Sequence, residues 1–72
     1  MKANKFIVTG LRDADKIRDI EQSLKNSHNG INAVRIDMEA STVTVDYDEA
    51  RYSEGEIKDF VNQTGLSVTK VQ

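Results

Sequence analysis

A chain of 72 residues with a net charge of −2 reads as one domain, residues 1–72, with too little positive charge for the phosphate contacts on which nucleic-acid binding rests. It holds no cysteine, which excludes disulfide staples and thiolate metal sites. No apolar run nears the roughly 20 residues of a membrane span, and the opening MKANKFIVTG lacks the apolar core of an export signal, so a cytoplasmic protein without membrane insertion is expected.

In chain order, Lys5 to Thr9 (KFIVT) is short, β-branched and aromatic, and Gly10 ends it, which predicts a strand. Asp13 then opens a helix: its carboxylate can accept from free backbone N–H groups, and Asp15 in the first turn suits the positive helix end. Ile17, Ile20 and Leu24 recur at helical spacing as one apolar stripe. The run Asn26 to Gly30 (NSHNG) stops the helix, and its Asn29-Gly30 pair reads as a helix C-terminal turn rather than a hairpin because a helix precedes it.

Ala33 to Met38 alternates, with Val34, Ile36 and Met38 expected on the buried face. After a tight connection at Glu39 to Ser41, Thr42 to Tyr47 alternates again, with Val43, Val45 and Tyr47 inward and Thr42, Thr44 and Asp46 toward solvent. Ser53-Glu54-Gly55-Glu56 has the S-x-x-E spacing of a capping box, in which hydroxyl and carboxylate satisfy reciprocal backbone donors. Ile57, Phe60 and Val61 form a second helical stripe that Gly65 closes, and Ser67 to Val71 is a last short strand.

The order is β-α-β-β-α-β. Right-handed crossovers then place both helices on one face of a four-stranded antiparallel sheet, which is the ferredoxin-like α+β sandwich. The expected core is Phe6, Val8, Ile17, Ile20, Leu24, Val34, Ile36, Val43, Val45, Ile57, Phe60, Val61 and Val68.

With its spacings, this order resembles the heavy-metal-associated domain of small copper chaperones and copper-ATPase N-terminal repeats. Val8-Thr9-Gly10-Leu11 stands where that family has a strand followed by Gly-Met. Ile17, Ile20, Glu21 and Leu24 fit its first helix. Gly30 to Asp48 (GINAVRIDMEASTVTVDYD) is similar to its central pair of strands, and Glu56 to Gly65 to its second helix. The family's metal chemistry rests on Gly-Met-x-Cys-x-x-Cys. In this chain Leu11 stands at the methionine position, and Asp13 and Lys16 stand at the two cysteine positions. Leu66 occupies the place where bacterial members often carry a tyrosine. Cu(I) is soft and prefers thiolate or thioether ligands, so the resemblance implies the fold without the copper site, and no bound cofactor is expected.

Other chemistries find little support. Asp13 and Asp15 offer hard oxygen ligands and His28 one imidazole, but divalent hard cations want about six oxygens, and Arg12, Lys16 and Arg18 crowd the aspartates. No nucleophile motif or converging base is present, so an enzyme is not expected. The solvent face of the sheet offers no aromatic for base stacking. The expectation is therefore a non-catalytic interaction or regulatory module, monomer or weak dimer, related to metal homeostasis and docking a protein partner. In the resembling family the metal loop is also the docking face. Here that face would carry Leu11, Arg12, Asp13, Asp15, Lys16, Arg18 and Leu66. Two alternatives are a metal-ion-binding or transport protein using oxygen or imidazole ligands (Asp13, Asp15, His28), and a small-molecule regulatory domain of the ACT type, which shares the element order.

Overall fold

The computed structural model describes residues 2–11 and 14–72. Its elements are β1 (Lys2–Thr9), α1 (Ala14–Ser27), β2 (Ile31–Asp37), β3 (Thr42–Tyr47), α2 (Glu54–Gln63) and β4 (Ser67–Val71). The strands form one sheet in the order β2-β3-β1-β4, and every neighbouring pair is antiparallel. This is the ferredoxin-like βαββαβ sandwich that the element order predicts.

Period-two alternation sets the inner face. Phe6 and Val8 of β1, Val34 of β2 and Val43, Val45 and Tyr47 of β3 are buried, together with Leu24 of α1 and Ile57 and Val61 of α2. Both helices thus bury their stripes against the same side of the sheet, which removes apolar surface from water at about 25 cal/mol per Å². Ile20, Ile36, Phe60 and Val68, expected in the core, are half-buried and pack at its margin, and Ile17, also expected there, is half-buried. A thin two-layer domain has only one row of fully enclosed positions, and these residues lie beside it.

Two irregularities redirect side chains. Ile31 pairs with Tyr47 and Ala33 with Asp46, so Asn32 is an extra residue in β2. The bulge restores the alternation and sends Ile31 into the core at 6% exposure. A second bulge makes Thr69 the extra residue of β4, with Val8 opposite Val68 and Ile7 opposite Lys70.

Met38, expected on the buried strand face, instead lies in the β2–β3 turn and is 42% exposed. The cause is Asp37, whose Oδ1 accepts from the N–H groups of Glu39 and Ala40 at 3.0 and 3.2 Å and so ends the strand one residue earlier. Thr42, expected toward solvent, is only 5% exposed. It sits on an interior strand with Ile7 and Asp37 in register on either side, and these cover it.

At the start of α2 the capping box forms as its spacing predicts. Glu56 N–H donates to Ser53 Oγ at 3.2 Å, and Ser53 N–H donates to Glu56 Oε1 at 3.0 Å. Helix α1 carries Asp15 in its first turn and Lys25 in its last, both favourable with the helix dipole.

Candidate functional site

Strand polarity decides which segments share an end of the molecule. Thr9, the last residue of β1, pairs with Ser67, the first of β4, and Val8 N–H donates to Ser41 O of the β2–β3 turn at 2.9 Å. The β1–α1 loop, the close of α2 and the β2–β3 turn therefore meet at one end. Gly10 has φ +103°, and a Cβ there would stand 3.5 Å from Leu66 Cδ2. Glycine thus permits the left-handed turn that carries the loop past Leu66.

The end of α2 is held by its own polar groups. Thr64 Oγ1 donates to Val61 O at 2.6 Å, Gly65 N–H to Asn62 O at 3.2 Å, and Asn62 Oδ1 accepts from Val68 N–H at 2.9 Å. The last bond ties the helix end to β4. A shallow cavity of 150 Å³ opens beside it, lined by Leu11, Lys16, Ile17, Ile20, Thr64 and Leu66.

This geometry sorts the residues expected at a docking face. Leu11 is half-buried and packs against the core, and Asp15, Lys16 and Arg18 are exposed. Lys16 stands at the cavity, whereas Arg18 lies on another face of α1 with Glu21, Gln22 and Lys25. Leu66, expected on the docking face, is 4% exposed and belongs to the core. The turn at Gly65 (φ +98°) folds it inward, and its hydrophobic contribution goes to packing. Arg12 and Asp13, including the expected helix cap at Asp13, lie outside the described residues.

The residues at this end do not fit Cu(I). A soft monovalent ion needs thiolate or thioether donors, and the chain has no cysteine. Lys16, at one of the positions where the family motif has cysteine, is an ammonium that repels a cation. Of the alternative oxygen and imidazole set, the fold keeps Asp15 and His28 apart. Asp15 is in the first turn of α1 and His28 follows its last residue, about 20 Å apart along the axis at 1.5 Å per residue. Among the described residues, no group of three or more His, Cys, Asp and Glu side chains is placed to hold a metal ion. The acidic residues at and after the end of β3 are held locally: Asp48 Oδ1 accepts from Ala50 N–H at 3.0 Å and its Oδ2 lies 3.8 Å from Arg51 Nε, while Asp46 pairs with Arg35 at 3.3 Å.

The opposite end of the molecule holds two clusters that periodicity alone does not reveal. His28, from the run that stops α1, stacks on Phe60 with ring centroids 3.8 Å apart and planes 12° from parallel. Tyr52 meets Phe60 edge-on at 5.3 Å, and its hydroxyl donates to Asn29 O at 2.6 Å. Beneath them, Tyr47 donates to Asn4 Oδ1 at 2.5 Å, and Asn4 Nδ2 donates to Glu54 Oε1 at 2.9 Å. This chain links β3, β1 and the first residue of α2. Asn4 is 7% and Tyr47 1% exposed. Loss of hydration raises the Tyr47 pKa above its ordinary value, and the nearby charges of Glu54 and Glu49 raise it further.

Comparison with known proteins agrees with this architecture. A family model described as the heavy-metal-associated domain matches residues 5–66. Among solved structures, a copper binding domain from HMA7, a P-type ATPase, superposes with a TM-score of 0.86 at 22% identity, covering 100% of this chain and 95% of that one. The CopZ metallochaperone gives 0.82 at 22% identity, covering 94% and 100%. The N-terminal domain of a potential copper-translocating P-type ATPase from Bacillus subtilis, in its Cu(I)-loaded state, gives 0.77 at 25% identity, covering 100% and 92%. Comparison with curated protein sequences returned no match. The family match sets aside the ACT alternative, whose element order is the same. It spans most of the chain, and the fold is the one those copper-binding structures share: the chain belongs to the heavy-metal-associated domain family.

Proposed function

We propose that this chain is a heavy-metal-associated domain in which the copper site has been lost, and that it serves as a non-catalytic docking module for a protein of metal homeostasis. In this reading residues 1–72 act as one domain, cytoplasmic, and the β1–α1 end is the contact face. The observation that carries it is the coexistence of the family fold over residues 5–66 with a chain that has no cysteine and bears Lys16 in the loop's helix start. The contact face would use Leu11 and Lys16 at the cavity, with Arg12, Asp13 and Asp15 beside them and Arg18 at its rim. Mixed charges of this kind set register and steer encounter more than they add affinity. Leu66 supports the face from beneath.

The test is titration of isotope-labelled chain with the soluble metal-binding domain of a copper-translocating P-type ATPase from the same genome, followed by amide NMR. Saturable shifts at Leu11, Asp15 and Lys16 are expected, with affinity weakened about three- to tenfold by Lys16→Glu. Shifts absent, or indifferent to Lys16→Glu, overturn the proposal.

A further inference from the structure

The turn between α1 and β2 contains Asn29-Gly30, and Asn29 is exposed. Asparagine before glycine is chemically labile, because the nitrogen of the following residue can attack the side-chain amide and glycine offers no side chain to obstruct it. The attack requires that nitrogen to lose its proton. The peptide unit concerned consists of the Asn29 carbonyl and the Gly30 N–H, and its oxygen is the one to which Tyr52 O–H donates at 2.6 Å. A donor on the oxygen of an amide stabilises the anion formed when its nitrogen deprotonates, by the same electrostatics that an oxyanion hole uses. Among the described residues, Gly30 N–H is not a donor in the loop's backbone hydrogen bonds. These run instead from Ile31 N–H to His28 O at 3.4 Å and from Asp48 N–H to Gly30 O at 2.8 Å.

We propose that Asn29 is a site of spontaneous deamidation and that the Tyr52 hydroxyl promotes it. Solvent hydroxide takes the Gly30 N–H proton, the nitrogen forms a bond to Asn29 Cγ, and the Cγ–Nδ2 bond breaks. Ammonia leaves with a proton from water, giving a five-membered succinimide. Water then adds to one of the two imide carbonyls. Opening at Cγ leaves aspartate, and opening at the main-chain carbonyl leaves isoaspartate, so the sum is amide plus water to acid plus ammonia with no change of oxidation state.

Either product alters this end of the molecule. Asn29 borders a polar cavity with Gly30, Asn32, Asp48 and Arg51, and the new carboxylate adds negative charge near Asp48 and within reach of Arg51. Isoaspartate also lengthens the main chain by one carbon within this turn. The modification therefore loosens the join between α1 and β2 as the protein ages.

The experiment incubates the full chain at neutral pH and follows each asparagine by peptide mass spectrometry, with enzymatic detection of isoaspartate. Asn29 should convert ahead of Asn4, Asn26, Asn32 and Asn62. Tyr52→Phe, which keeps the ring against Phe60, should slow it about two- to tenfold, the ordinary worth of one neutral hydrogen bond. In denaturant, where Tyr52 and Asn29 separate, the two proteins should convert at the same rate. If Tyr52→Phe does not fold, replacement of tyrosine by the more acidic fluorotyrosine keeps the shape, strengthens the donor and should accelerate conversion. An Asn29 no faster than the other asparagines, or a folded-state rate indifferent to the hydroxyl, overturns the proposal.

Discussion

Tyr47 lies inside the sheet–helix layer with its hydroxyl on Asn4 Oδ1, so its ring and its polar tip have separate energetic roles. The ring fills the core beside Ile31, and the hydroxyl satisfies a buried amide. Tyr47→Phe retains the first role and removes the second, leaving Asn4 Oδ1 without that donor. The expected cost is about 1–3 kcal/mol, or a fall in Tm of at least about 4 °C for a domain of this size, measured by thermal unfolding. The same residue gives a pH dependence of definite sign. Its folded-state pKa lies above the ordinary 10.0, so as pH rises past that value the unfolded chain releases the phenolic proton first. Stability from this group is complete below 10.0 and is lost as pH climbs through the folded-state pKa. Denaturant titrations at rising alkaline pH should show a steeper decline for the native protein than for Tyr47→Phe. Neither partner of this pair is legible in the sequence as a pair. Alternation points Tyr47 inward, but Asn4 precedes the expected strand, which in fact begins at Lys2.

Helix α2 shows how far local chemistry specifies an element. Ser53 and Glu56 announce its start, and both bonds of the capping box form. Ser53→Ala should cost about 1 kcal/mol and fray the first turn, seen as faster amide hydrogen exchange at Glu56 and Ile57. Because Glu54 in that turn also holds Asn4, the variant tests whether the cap and the buried polar chain are coupled: added to Tyr47→Phe, a loss beyond the sum of the singles measures the coupling. Strands β3 and β4 and the first residue of α2 coincide with their sequence patterns for the same reason, since each pattern is closed by a residue with a defined backbone role. The misread positions lie where pairing overrides period. Asn32 bulges and turns Ile31 inward, Asp37 stops β2 before Met38, and a glycine with positive φ folds Leu66 into the core. His28 was legible as a turn residue, but its stack on Phe60 joins the end of α1 to the body of α2, two segments distant in sequence.

Across the whole molecule, the family fold is present while the cysteines of its metal motif are not. The four-stranded sheet, its two helices and the glycine-bounded loop follow the family plan, whereas the loop's chemistry does not: residues 11, 13 and 16 are leucine, aspartate and lysine. Fold rests on many apolar positions and tolerates the change, and a two-thiolate Cu(I) site rests on two atoms and does not. The most direct measurement is an anaerobic competition for Cu(I) against a chromophoric chelator, comparing the native chain with Asp13→Cys/Lys16→Cys. The native protein should leave the chelator's copper in place, and the double variant, still folded, should withdraw one equivalent of Cu(I). A native chain that withdraws copper as effectively as the variant, or a folded variant that withdraws none, would contradict a loss of the site through these two substitutions.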